Sequence, residues 1–381
     1  MLFNSNVIMT KYSGIFKIGE KANKISNCIR LEVGDVDFSP LESIKDNVAR
    51  AFDEGETHYP ALSGNRFLIE KIIDLEREEN GIELTEENIY VTTGGSFGMF
   101  ISLLSCINVG DEIVIFEPTW SHFEEMVRIV GGKSIKIQLS ETNNYHLSKN
   151  IFDDYDTTNW KLILFSSPNN PTGTIYSEDD IRILVEFANR NNILLLCDQE
   201  YEAFSFGTKV ISLFDQYDKS ITSKSFSKTL SVAGLRLGYI MGCREWIECA
   251  KKCGFYSSMY TSSVIQYGIG HMLEDKSRFV NNMVTTFKER LIGVDKIFRR
   301  KSKLKYQFPE GAVYMWLDCR AYHQDDNYVS DFLLRNAKVS TVPGSCFGEN
   351  GKGFIRISLG KDKVELFEAA NRIVTALEKI S

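Results

Sequence analysis

Ser225-Phe226-Ser227-Lys228-Thr229-Leu230-Ser231-Val232-Ala233-Gly234-Leu235-Arg236-Leu237-Gly238-Tyr239 sets one lysine in a run of small and hydroxyl residues, with an arginine eight positions on between two leucines flanked by glycines. A lysine serves as a nucleophile when its neutral amine is accessible near neutral pH, and burial beside another cation lowers its pKa in that direction. Ser225 and Ser227 can donate to an anion, and Arg236 can clamp one with its planar fork of donors. A carbonyl cofactor carrying a phosphate would satisfy all of these groups together. The structural alternative is a lysine on a strand-end loop beside a helix-packing Gly-Leu-Arg-Leu-Gly.

Upstream of this stretch the chain alternates strand and helix patterns. Ile89–Thr93 has strand character and runs through Gly94-Gly95-Ser96 into an amphipathic pattern from Phe97 to Cys106. A glycine turn between a strand and a helix start is a ready anion site, because free N–H groups and the helix dipole face the ligand. Asp111–Phe116 reads as a strand ending at Glu117-Pro118-Thr119-Trp120, and Lys161–Ser167 as a central parallel strand ending at Pro168-Asn169-Asn170-Pro171-Thr172-Gly173. Ser177 with Asp180 three residues on forms a capping box that starts the next helix. Ile193–Cys197 is another buried strand, and Asp198 at its carboxyl end stands where ligands bind in open α/β sheets. Glu200, two residues later, reads as a solvent-facing or interface charge. Ser39-Pro40 reads as a helix N-cap followed by proline in the first turn. Alternation from about residue 46 to 280 predicts an α/β fold with a right-handed, mostly parallel sheet flanked by helices. The basic run Arg299–Lys305 reads as a solvated helix end.

Composition narrows the function classes. A chain of 381 residues buries a large core and suits one large plus one smaller domain. The formal charge of −7 argues against nucleic acid as a partner. No apolar run is long enough to span a bilayer. Residues 1–11 lack the basic-then-apolar-then-small order of a signal peptide, so a cytoplasmic location is expected. The eight cysteines form no Cys-x-x-Cys, and no histidine stands at metal-ligand spacing from them, so we expect free thiols in a reducing compartment and no metal.

The lysine–arginine stretch, Asn169-Asn170-Pro171-Thr172-Gly173 and Asp198-Gln199-Glu200-Tyr201 together resemble the signatures of class I/II aminotransferases, which use pyridoxal 5'-phosphate (PLP). The resemblance runs in family order from Gly34 to Arg356. It implies a PLP-transferase-like large domain over residues 46–280, with a smaller α+β domain formed by residues 1–45 together with 281–381. It assigns Lys228 as the residue that carries the cofactor as an imine, Asp198 as the partner of the pyridine nitrogen, and Tyr201 and Asn170 as donors to the ring oxygen. Gly95, Ser96, Ser225 and Arg236 would anchor the phosphate, and Trp120 would stack on the ring. Tyr59, in His58-Tyr59-Pro60-Ala61-Leu62-Ser63-Gly64, would reach the phosphate of the neighbouring subunit, which implies a homodimer. Gly34, Asn170 and Arg356 would contact the substrate, with Arg356 gripping its carboxylate bidentately from the strand Phe354–Ser358. Two positions depart from the family pattern. Val36 stands where a proline is usual, and Phe97 where glutamine or glutamate is common.

The activity implied is transfer of an amino group between an L-amino acid and a 2-oxo acid, with Lys228 moving the Cα proton. Dicarboxylate-preferring relatives place a lysine where Ser96 stands or bring an arginine from the partner, and neither has a counterpart here. A neutral, aromatic or cationic amino acid is therefore expected as the substrate. The alternative is a PLP-dependent lyase or cyclase of the same fold. A PLP-sensing transcriptional regulator is disfavoured, because no DNA-binding segment fits before Ile29.

Overall fold

A computed structural model of the chain describes residues 2–380. In chain order its principal elements are α1 (Ser5–Met9), α2 (Gly14–Ala22), β1 (Ile29–Arg30), α3 (Ser43–Asp53), α4 (Arg66–Asn80), β2 (Ile89–Thr92), α5 (Gly95–Cys106), β3 (Glu112–Glu117), α6 (His122–Ile129), β4 (Lys133–Gln138), β5 (Trp160–Ser166), α7 (Glu178–Asn191) and β6 (Leu194–Asp198). They continue with β7 (Ser220–Ser225), α8 (Phe226–Thr229), β8 (Gly238–Gly242), α9 (Arg244–Ser258), α10 (Ser263–Gly270), α11 (Lys276–Lys301), β9 (Tyr314–Asp318), α12 (Asp326–Asn336), β10 (Val339–Ser340), β11 (Val342–Pro343), β12 (Phe354–Ser358) and α13 (Lys363–Leu377). Among the described residues, no helix is long and apolar enough to cross a membrane.

Seven strands form one sheet in the order β2-β8-β7-β6-β5-β3-β4. Strands β4, β3, β5, β6 and β7 run parallel, and of these the apolar runs of β3, β5 and β6 predict it. Strand β8 is antiparallel to both of its neighbours, β2 and β7. Two antiparallel steps restore direction, so β2 points the same way as β7. The carboxyl ends of β2, β3, β5, β6 and β7 therefore share one edge, and that edge carries the site. Gly238 pairs with Thr92 on one side and Ser225 on the other, which brings the Gly94-Gly95 turn beside the lysine loop. A Cβ at Gly238 would lie 2.6 Å from the Lys224 carbonyl oxygen and 2.8 Å from Gly95 N, so only glycine allows that approach.

Strand β7 is buried at every position although its sequence, Ser-Ile-Thr-Ser-Lys-Ser, is polar. Its side chains find partners inside. Ser220 Oγ donates to the Tyr217 carbonyl at 2.8 Å and Ser223 Oγ to the Gly95 carbonyl at 3.1 Å. Lys224 Nζ lies 2.7 Å from Glu76 Oε1 and 2.6 Å from Glu202 Oε2, with Tyr239 donating its hydroxyl to Glu76 as well. Removing the cation would strand two carboxylates in the interior. Lys224→Met is expected to lower the unfolding free energy by about 3–5 kcal/mol. A fall in denaturant midpoint at unchanged slope checks this, and an unchanged midpoint contradicts it.

Beside this sheet, β9, β12 and β11 form an antiparallel three-stranded sheet, and β1 pairs in parallel with β10. Their core gathers Leu317, Ile355 and Ile357 from the strands with Phe287, Leu291 and Phe298 of α11 and Leu366 and Ile373 of α13. Helix α11 ends in Arg299, Arg300 and Lys301, the solvated basic terminus expected. The capping box at Ser177 and Asp180 is present. Ser39-Pro40 does not open a helix. Helix α3 begins four residues after Ser39, at Ser43, with Glu42 as an N-cap that makes no side-chain bond, and Phe38 and Pro40 instead line a surface groove with Ile44.

Candidate active site

A cavity of about 410 Å³ opens at the shared carboxyl edge of the sheet. That volume suits a small organic ligand. The expected residues Gly34, Gly95, Ser96, Trp120, Asn170, Asp198, Tyr201, Lys228, Arg236 and Arg356 all line it. Two others do not. Ser225 is buried behind Ser227 as the N-cap of α8, where its Oγ accepts from Ser227 N at 3.0 Å and donates to Ser227 Oγ at 2.8 Å. Tyr59 is 77 % exposed on the surface and packs on Tyr260 with ring centroids 5.1 Å apart.

Lys228 stands on the short helix α8, and its Nζ lies 3.3 Å from Asp35 Oδ1. Asp35 is mostly exposed, so the pairing is loose and leaves the amine reachable. At the end of β6, Asp198 Oδ1 accepts the backbone N–H of Glu200 at 3.0 Å, and burial pushes its carboxyl up to about 6. The same stretch of chain places the Tyr201 hydroxyl 2.5 Å from that of Tyr314. Trp120 forms one wall and stacks on His122 with centroids 4.1 Å apart. His122 Nδ1 is buried without a hydrogen-bond partner among the described residues, and burial holds that ring below the ordinary histidine range.

A glycine shapes the end of the cavity that holds Arg236. Gly94 takes φ +80°, and a Cβ there would lie 2.4 Å from Arg236 Nη2. The guanidinium therefore lies over the turn that opens α5. Arg236 Nη1 also donates to the Ala233 carbonyl at 2.9 Å and to Ser227 Oγ at 3.4 Å. At the opposite end Arg356 is 1 % exposed. Its Nη1 donates to Asn170 Oδ1 at 2.8 Å, its Nη2 to the Glu32 carbonyl, and its guanidinium carbon sits 4.1 Å from the Tyr314 ring centroid. Because Arg356 occupies Asn170 Oδ1, the amide nitrogen of Asn170 is the end that can face a ligand.

Sequence reasoning missed several lining residues. Glu200, expected as a solvent-facing or interface charge, is one of them. It lines the cavity, half-buried, because the end of β6 turns it toward Gly95 and Ser225 from distant parts of the chain. Ser13, Ile15 and Phe16 reach the cavity from α2 and the turn before it, and Ser13 Oγ sits 3.4 Å from Ser121 Oγ. No motif in the N-terminal segment signals this. Val33, Asp35, Ser166 and Tyr314 complete the walls. Asp35 lies one residue from Gly34 and was the nearest to being found.

Comparison with known proteins agrees with this geometry. The family profile of aminotransferase class I and II matches residues 26–373. An aspartate aminotransferase of Pyrococcus horikoshii is 31 % identical over 376 residues, covering 98 % of this chain and 96 % of the relative. Aromatic-amino-acid aminotransferase 2 of Thermococcus litoralis is 28 % identical and covers 100 % of this chain and 99 % of its own. The structure of Thermus thermophilus aspartate aminotransferase with maleate superposes with a TM-score of 0.94 at 25 % identity, covering 99 % of this chain and 100 % of that one. With a family match across nearly the whole length, a shared fold and a lysine-bearing cavity at the sheet edge, the chain belongs to the class I and II aminotransferases and moves an amino group between an amino acid and a 2-oxo acid.

Proposed function

We propose that the enzyme uses pyridoxal 5'-phosphate and takes as its amino donor an amino acid with an apolar or aromatic side chain. The donor set fits that cofactor. Gly94 leaves room that a Cβ would fill beside Arg236, Gly95 leaves room beside Ser225, a lysine amine stands within the same cavity, and a carboxyl of raised pKa lies at its floor. Bound there, the cofactor supplies a carbonyl to receive the amino group and a ring that withdraws electrons from Cα. Lys228 holds the cofactor and then carries the Cα proton. Asp198 keeps a proton on the ring nitrogen, and Asn170 and Tyr201 donate to the ring oxygen. Gly95, Ser96, Ser225 through Ser227, and Arg236 fix the phosphate, joined by Tyr59 from a second copy of the chain in a homodimer. The surface position of Tyr59 is consistent with that role. Arg356 grips the substrate carboxylate and so orients the Cα–H bond. Residues 46–280 act as the large, cofactor-holding domain, and residues 1–45 with 281–381 as the smaller one that carries Arg356. Eight unpaired cysteines suit a reducing cytoplasm.

One observation carries the donor class. Among the described residues, the cations that line the cavity are Lys228, Arg236 and Arg356, and each has a role already. None remains for a second carboxylate, while Ile15, Phe16 and Val33 add apolar wall. The aspartate name of the Pyrococcus relative favours a dicarboxylate donor instead. Mixing the holoenzyme with single amino acids and following the visible cofactor band decides between them. Phenylalanine or leucine is expected to bleach the band and yield its 2-oxo acid at least about tenfold faster than aspartate, the discrimination that about 1.4 kcal/mol gives. Faster conversion of aspartate overturns the donor assignment.

A further inference from the structure

Glu200 has no place in the chemistry assigned so far, yet it shares the cavity with Lys228, Asp198, Asn170, Tyr201, Arg236 and Arg356. A Cβ on Gly95 would lie 3.1 Å from Glu200 Oε2, just as one on Gly94 would lie 2.4 Å from Arg236 Nη2. Carboxyl and guanidinium thus lie against consecutive residues of the turn that opens α5. The groups facing Glu200 come from four further elements as well as its own. Asp198 and Tyr201 flank it on the end of β6, Ser225 faces it from β7, Lys228 from α8, Arg236 from the turn before β8, and the backbone at Gly95 from α5. Burial and the Asp198 charge push the Glu200 carboxyl up to about 8, against the pull of Lys228, Ser225 and Arg236. An ionised Glu200 would therefore set a like charge beside any phosphate in the turn and compete with it for Arg236. A protonated Glu200 is neutral there and offers a hydroxyl donor.

We propose that Glu200 is a positioning residue of the phosphate cradle, one that takes a proton from solvent when a phosphate dianion binds, so that the grip on the cofactor loosens as pH rises. The inference rests on the pyridoxal 5'-phosphate reading given above. Its sign follows from linkage. Below its titration Glu200 carries the proton in both free and bound protein, and affinity does not depend on pH. Above it the free form is ionised, binding must take up a proton, and affinity falls by up to about tenfold per pH unit. A phosphate monoester, with its second pKa about 6, is a dianion throughout that range.

The test is a titration of the full-length, cofactor-stripped protein with pyridoxal 5'-phosphate and, separately, with pyridoxal. The visible band of the lysine-bound aldehyde is followed from pH 7 to pH 9. Both compounds offer the same aldehyde, so any titration of Lys228 divides out of the ratio of their dissociation constants. The preference for the phosphorylated compound is expected to fall about tenfold across that range in the native protein and to stay within about twofold in Glu200→Gln. A preference in the native protein that does not change with pH overturns the proposal without recourse to any variant. So does a fall that persists in Glu200→Gln. A protein that develops no band with either compound would overturn the Lys228 reading itself, and this inference with it.

Discussion

Lys228→Ala is expected to reduce transamination by at least about 10⁴-fold, the upper range of what one positioned proton-transfer group contributes, because in the proposed mechanism the same amine also anchors the cofactor. The fold should survive. Lys228 is half-buried, and its partner Asp35 is mostly exposed, so the lost ion pair is worth little. The substitution shortens a side chain on a helix, where alanine is the most favourable residue. An unchanged denaturant midpoint together with a collapsed half-reaction rate, read from the cofactor band on adding an amino acid, is the expected pair of results. Retained turnover would mean that another base reaches Cα. His122 and Glu200 also line the cavity and would be the residues to substitute next.

The parts of this molecule that were legible in the sequence share a physical property. Their signals are local. The apolar runs of β3, β5 and β6 announce strands buried on both faces, and their carboxyl ends point to Trp120, Asn170 and Asp198. The glycine turn before α5 reads as an anion site because the helix start follows it directly. Strand β7 gave no such signal. Its hydroxyls and Lys224 look solvated, and only partners as distant as Glu76, 148 residues away, make their burial tolerable. The edge strand β4, largely uncovered, lacks the apolar run that marks its neighbours. The cavity position of Glu200 is hidden for the same reason as the burial of β7. A charge two residues beyond a strand end usually faces water, and its true surroundings come from α5, β7, α8 and the Arg236 turn. The pairing of Lys228 with Asp35 spans 193 residues and leaves no trace at either position alone. The helix start at Ser39-Pro40 failed on a different ground. Its signal is a propensity of isolated residues, and here packing around Phe38 overrides it, with Ser231 Oγ donating to the Phe38 carbonyl.

Arg356→Ala should weaken substrate recognition far more than it weakens the fold. The guanidinium is almost fully buried, yet among the described residues no carboxylate pairs with it. Its partners are an amide oxygen, a backbone carbonyl and an aromatic face, and its Nε is buried with none. A buried cation without a counter-charge is a cost to the fold, so its removal should destabilise far less than loss of a paired charge such as Lys224. Two charge-assisted hydrogen bonds to a substrate carboxylate are worth about 3–4 kcal/mol together, which corresponds to a loss of about 10²- to 10³-fold in kcat/KM. Arg356→Lys should recover only part of this, since an ammonium is a point charge and cannot present the planar fork. The decisive comparison uses an amine donor that lacks the α-carboxylate. With such a donor the native enzyme and Arg356→Ala are expected to react at rates within a few-fold of each other, because the group that Arg356 is proposed to grip is missing from the substrate. If the variant lost the carboxylate-free reaction as severely as the ordinary one, Arg356 would be acting through Asn170 and Tyr314 on the architecture of the site, and the carboxylate grip would have to be assigned elsewhere.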